Sequence, residues 1–153
     1  MKPVAMVVVP ALLLTFLLAF ACGDAAAQGK HPAYLHALID LRAARAHLQH
    51  QDGGALREEE KEAIDQIDEA INEIKRASID DGKDLDDHPP VDAGRDHTGR
   101  LHRAKQLLEK AHQDIADEEE NSFAQGLQQR AFGHIDRAMH EVDEAIRIVA
   151  SHS

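Results

Sequence analysis

One helical pattern occurs twice in this chain and limits what it can fold into. The string AIDQIDEAINEIKRA at 63–77 lies over AFGHIDRAMHEVDEA at 131–145, with identical residues at Ala63, Ile67, Asp68, Ala70, Glu73 and Ala77 of the first copy. Within that copy Ile64, Ile67, Ile71 and Ile74 are spaced i, i+3, i+7 and i+10, which puts all four on one side of an α-helix, with Ala63, Ala70 and Ala77 beside them. A stripe this narrow must be covered by other helices. A second match, YLHALIDL at 34–41 over RLHRAKQL at 100–107, pairs Leu35, His36 and Leu41 with Leu101, His102 and Leu107. The two offsets, 68 and 66, nearly agree, and the acid runs REEEKE at 57–62 and DEEEN at 117–121 precede the second and fourth segments. The pattern reads as a duplicated helical hairpin.

Four helices are expected, at about 32–50, 56–79, 97–118 and 122–150. The first carries Tyr34, Leu35, Leu38, Leu41 and Leu48 on one face and is stopped by QDGG at 51–54. The third carries Leu101, Ala104, Leu107, Leu108, Ala111 and Ile115. The fourth carries Leu127, Ala131, Ile135, Ala138, Val142, Ile146 and Val149, with Asn121 or Ser122 as its cap. No stretch of useful length alternates with period two, so no sheet is expected. The fold class that follows is all-α: an antiparallel four-helix bundle made of two similar helical hairpins, preceded by a signal peptide.

Between the hairpins lies SIDDGKDLDDHPPVDAGRDHTGR, residues 78–100, whose acids first suggest an ion-binding loop. Carboxylates at Asp80, Asp81, Asp84, Asp86, Asp87, Asp92 and Asp96 attract cations weakly, but they show no fixed ligand spacing. The duplication makes the stretch a linker, 80–96, stiffened by Pro89-Pro90 and ending at Asp96 or Thr98 as a helix cap. It is longer than the ~2–8 residues usual between bundle helices. The excess is expected to pack along the bundle or to meet a partner.

The amino terminus reads as a secretory signal over 1–27: Lys2, an apolar run from Val4 to Ala21, and an Ala25-Ala26-Ala27 site for cleavage before Gln28. A retained anchor is the bland alternative. A lipoprotein, modified at Cys22 after Leu18-Ala19-Phe20-Ala21, is another. The expected location is periplasmic or secreted, with membrane attachment only if Cys22 is lipidated. Removing 1–27 takes one lysine and one aspartate, so the formal charge of −11 is unchanged. A charge of that sign repels nucleic acid and anionic lipid and favours cations and basic protein partners.

No catalytic template is present. There is no G-x-S-x-G, H-E-x-x-H, Walker or EF-hand pattern and no C-x-x-C-H. Glu109-x-x-His112 is a lone instance of the pair that a di-iron bundle needs twice. The chain is therefore expected not to be an enzyme.

The 11 histidines are the compositional excess that points to chemistry. A histidine and an acid four apart on a helix can chelate a divalent transition ion, and His36 with Asp40, Asp136 with His140, and His140 with Glu144 have that spacing. His47-x-x-His50 is a similar clip. The candidate ligands are thus His36, Asp40, His47, His50, Glu109, His112, Asp136, His140 and Glu144, for Zn, Cu or Ni ions. At 100° per residue, His36, Asp40 and His47 fall opposite Leu38, and Asp136, His140 and Asp143 fall opposite the stripe of the fourth helix; both sets are expected on solvent faces. His97 and His112 fall close to the third helix's stripe, and His134 borders that of the fourth. Arg42 and Arg45 fall on the apolar side of the first helix, where Asp65, Asp68 and Glu69 of its neighbour are the expected partners.

The strings HPAYLHALIDLRAAR, IDDGKDLDDHPPVD and GRLHRA resemble those of a family of small secreted bacterial helical proteins. The resemblance covers nearly all of the chain after the signal and implies no activity and no site residues. In composition the chain is also similar to periplasmic small metal-binding proteins, though without their denser histidine repeats. Two functions follow as expectations: an interaction or structural bundle of the cell envelope acting through an acidic surface, or a periplasmic buffer of transition-metal ions.

Overall fold

The structure is a computed structural model that describes residues 32–50, 55–78, 90–94, 96–116 and 122–152. The expected signal peptide with Cys22, the linker up to Pro89 and the acid run at 117–121 lie outside the described residues.

Four helices form: α1 Pro32–Gln49, α2 Glu58–Ala77, α3 His97–Ala116 and α4 Ser122–Ser151. The α2 helix starts two residues later than its periodicity suggests. Glu60 reaches back to accept the Arg57 N–H at 3.0 Å, and this satisfies a donor that would otherwise lack a partner at the helix end. Glu58, Glu59 and Glu60 in its first turn and Lys75 and Arg76 in its last match the helix dipole. At its far end Ser78 is buried, and both its N–H and its hydroxyl bond to the Ile74 carbonyl at 2.9 Å. The fourth helix outruns the others because nothing in residues 122–151 breaks it.

The buried stripes of the two hairpins match one another in the following registers. Ala63, Ile67, Ala70 and Ile74 of α2 correspond, at an offset of 68, to Ala131, Ile135, Ala138 and Val142 of α4, and all eight are buried. In the other pair of helices the buried residues match at 67 rather than 66: Tyr34, Ala37, Leu41, Ala44 and Leu48 correspond to Leu101, Ala104, Leu108, Ala111 and Ile115. Burial reports what faces the core, whereas the sequence match was drawn by identities that include the exposed His36 and His102.

The order of the helices around the bundle is α1, α2, α4, α3, with α1 and α4, and α2 and α3, on the diagonals. The broad interfaces join the hairpins to each other, α2 to α4 and α1 to α3; the narrow ones lie within the hairpins. A fully buried alanine recurs every seven residues on the broad interfaces, at Ala37 and Ala44, Ala63 and Ala70, Ala104 and Ala111, and Ala131 and Ala138. Side chains that small let helix axes approach closely, near the short end of the ~8–10 Å range.

Neighbouring helices all run antiparallel. Asp40 meets Lys110 across α1 and α3, Glu73 meets Arg130 across α2 and α4, and Lys105 meets Asp143 across α3 and α4. Since His97 at the start of α3 bonds Glu60 at the start of α2, these two diagonal helices point the same way. The end of α2 and the start of α3 therefore lie at opposite ends of a bundle whose 20-residue helices are ~30 Å long. That accounts for the length of the linker: it joins opposite ends. Its described part crosses over α1. Pro90, Val91 and Asp92 border a groove with Ile39, Arg42, Ala43 and His47 of α1 and Arg103 and Leu107 of α3, and Val91 also borders Arg45 and Asp68 on the other side. Asp92 then accepts the Gly94 N–H at 3.0 Å, and the Asp96 carbonyl accepts the Arg100 N–H as α3 begins. Among the described residues no helix is long and apolar enough to cross a membrane.

Candidate functional site

The strap over α1 changes where two candidate ligands sit. Asp40 and His47 were expected on a solvent face opposite Leu38; both are buried, at 8% and 5% exposure. An α1 face that periodicity assigns to water lies against α3 and residues 90–92. Asp40 is bonded to Lys110, which also reaches Asp114 at 3.3 Å. The hydrogen bond to Asp40, together with the Asp40 and Asp114 charges, outweighs the opposing effect of burial and holds the Lys110 ammonium above its ordinary pKa.

Several members of the helical clips have other partners in the structure, while Asp136 and His140 are both exposed on α4. His36 is exposed, but Asp40, its partner four residues on, is held by Lys110. His140 is exposed while Glu144 pairs with Arg147 at 2.5 Å. His47 and His50 separate, one buried and the other exposed. Glu109 is exposed beside His112 on α3. Across helices, His112 Nε2 lies 3.5 Å from Asp136 Oδ1, with the His112 ring 4.5 Å from that of Phe132. Among the described residues, no three His, Cys, Asp or Glu side chains are placed to hold a metal ion.

Asp40 is one of several buried acids that pair between the hairpins. Among the described residues the buried acids are Asp40, Glu60 and Glu73, and each is met by a cation or histidine of the other hairpin. Glu60 meets His97. Glu73 accepts from Arg130 at 3.0 Å, and from Arg76 on its own helix at 3.2 Å. Sequence reading missed Glu60 and Glu73. The signal for Glu60 was present, because continuing the isoleucine stripe backwards from Ile67 and Ile64 lands on residue 60. The expected partner of Arg45 was among three acids, and the structure selects Asp68, at 2.7 Å.

His134 lies between α2 and α4, where its Nδ1 is within 2.8 Å of both Gln66 and Arg137. Burial and the Arg137 charge lower its pKa. On the solvent side of α2, Glu58, Glu62, Asp65 and Glu69 are all exposed and form an acidic ridge along the helix. Lys61 pairs with Glu58 at 3.2 Å, and Gln66 donates to Glu62. No known protein family, characterised protein or solved structure matches this chain.

Proposed function

We propose that this chain is a non-enzymatic, exported helical bundle of the bacterial cell envelope that acts as an interaction protein and offers an acidic surface to a basic protein partner. The observation that carries the reading is the ridge of Glu58, Glu62, Asp65 and Glu69 on the outer face of α2, on a chain of net charge −11. Lys110, Arg130, Lys105 and Arg45 are engaged with carboxylates between helices, so apart from Lys61, which pairs with Glu58, the ridge faces solvent. Such a field steers a basic partner and weakens with salt.

The test is binding of residues 28–153 to a lysine-rich helical peptide. Neutralising the ridge (Glu62→Gln, Asp65→Asn, Glu69→Gln) is expected to weaken binding about tenfold at low salt. An equal charge change on the exposed face of α4 (Gln125→Lys, Gln129→Lys, His140→Lys) is expected to weaken it far less. Equal losses would mean that net charge alone is felt, and the reading fails. The metal-buffer alternative rests on the single His112–Asp136 contact. Calorimetric titration with Zn, Cu or Ni at pH 7 is expected to show no stoichiometric site tighter than about micromolar. A tight site abolished by His112→Ala would replace the interaction reading with the buffer.

A further inference from the structure

The two hairpins hold one another more than they hold themselves. Their broad alanine-lined interfaces run between hairpins, and the pairs α1 with α3 and α2 with α4 are antiparallel arrangements of matching helices. Two similar hairpins related in this way have the geometry of a two-fold dimer whose halves are joined by one covalent connection. The three buried carboxylates add a polarity to that dimer. Asp40, Glu60 and Glu73 belong to the first hairpin, and Lys110, His97 and Arg130, which meet them, belong to the second. The positions matching Asp40 and Glu60 in the second hairpin are Leu107 and Gln128, so the second hairpin does not reproduce those two acids, while Glu73 is matched by Glu141, which is only half-buried. Two first hairpins placed together would bury Asp40 and Glu60 without Lys110 and His97 and leave Glu73 with Arg76 alone, a costly arrangement. A first hairpin is matched by a second hairpin, from this chain or from another copy.

We propose that a second copy of this chain is a binding partner of the fold, engaged by exchange of hairpins: the α1–α2 hairpin of each copy packs on the α3–α4 hairpin of the other. Every helix contact and ion pair between hairpins is reproduced in the exchanged dimer, so the two states differ only in how residues 79–96 connect them. Because one chain carries both hairpins, the intramolecular pairing acts at an effective concentration far above that of a dilute second copy. The monomer therefore dominates in dilute solution, and exchange becomes competitive when the protein is concentrated or the connection is shortened. This inference is independent of the acidic-ridge reading.

Two full-length processed chains test it. One carries Asp40→Lys with Glu73→Lys, the other Lys110→Glu with Arg130→Glu. Each alone has mismatched hairpins and is expected to be destabilised. In a hairpin-exchanged heterodimer both bundles are matched again, one with reversed pairs and one with native pairs. Refolding the two together at high concentration is expected to give a species of doubled mass, by light scattering, with a melting temperature above that of either variant. If both fail to fold alone, co-refolding still restores the dimer. A mixture that yields no dimer and no recovered stability overturns the proposal. The second measurement removes residues 80–89 from the otherwise natural chain, leaving a connection too short, at ~3.5 Å per residue, to pass around α1 and reach the far end. A folded dimer is expected, and a folded monomer of equal stability overturns the exchange.

Discussion

The interfaces between the hairpins and those within them are built from different materials. Between hairpins, alanines at seven-residue spacing bring backbones together, and the ion pairs use carboxylates that are nearly inaccessible, the Asp40 and Glu73 side chains being 11% and 7% exposed. Within hairpins the pairs include Arg45 with Asp68 and Lys105 with Asp143, whose carboxylates are both 43% exposed, and His112 with the exposed Asp136. A half-exposed pair gains little over its hydrated ions, whereas a buried carboxylate has lost its water and depends on its partner. The contrast places the specificity of the fold between the hairpins, and this is why the chain can close in one register despite its repeated sequence.

The comparison can be broken most severely at the centre of the broad interface. Ile67 and Ile135 are fully buried at matching positions of α2 and α4, and Ile135→Ala is expected to cost about 2–5 kcal/mol by urea unfolding. Next comes the alanine seam. Ala70→Leu adds volume where the backbones are closest, and a loss of about 1–3 kcal/mol is expected, while Ala150→Leu, on an exposed position of α4, should be close to neutral. A loss at position 70 no larger than that at 150 would show that the seam is not tight.

The ion pairs give a smaller and sharper contrast. Glu73→Gln leaves Arg130 and Arg76 facing an uncharged amide in a buried site, with an expected cost of about 1–3 kcal/mol. Lys105→Gln, within the second hairpin, should cost less than about 1 kcal/mol. The Lys105 pKa is raised chiefly by its hydrogen bond to Asp143, so the contribution of that pair is complete below the ordinary lysine value of 10.5 and disappears as pH rises through the folded-state value. Equal losses from the two variants would erase the distinction between the interfaces.

The smallest effect belongs to His134. Its pKa in the folded state is lowered from 6.5, first by burial and then by Arg137, so the unfolded chain takes up this proton more readily. The contribution of neutral His134 is full above pH 6.5 and declines as pH falls below it, levelling off beneath the folded value. His134→Gln should therefore flatten the loss of stability between pH 7.5 and 5.5 relative to the natural chain, as read by chemical unfolding at several pH values. Parallel slopes would place the proton uptake elsewhere.

The metal clips show why side-chain chemistry was less legible than fold. The spacing of His36 and Asp40, or of His140 and Glu144, establishes that each pair shares a helix face. It does not reveal that a lysine of α3 engages Asp40 or that Arg147 engages Glu144. Competition for a carboxylate is settled by whatever cation lies nearest, and across helices that is a question of register.

By itself the sequence determined that there would be four helices and where each begins and ends to within a few residues. These follow from periodicity and from helix breakers, which act over a few residues of chain. The tertiary structure decided the order of helices around the bundle, the passage of the linker over α1, and the burial of Asp40, His47, Glu60 and Glu73. The stripes on the four helices would be covered by more than one arrangement of neighbours. The choice among them was made by close approach along the alanine seams and by the matching of buried carboxylates to cations on the opposite hairpin, both of which act between residues far apart in the chain.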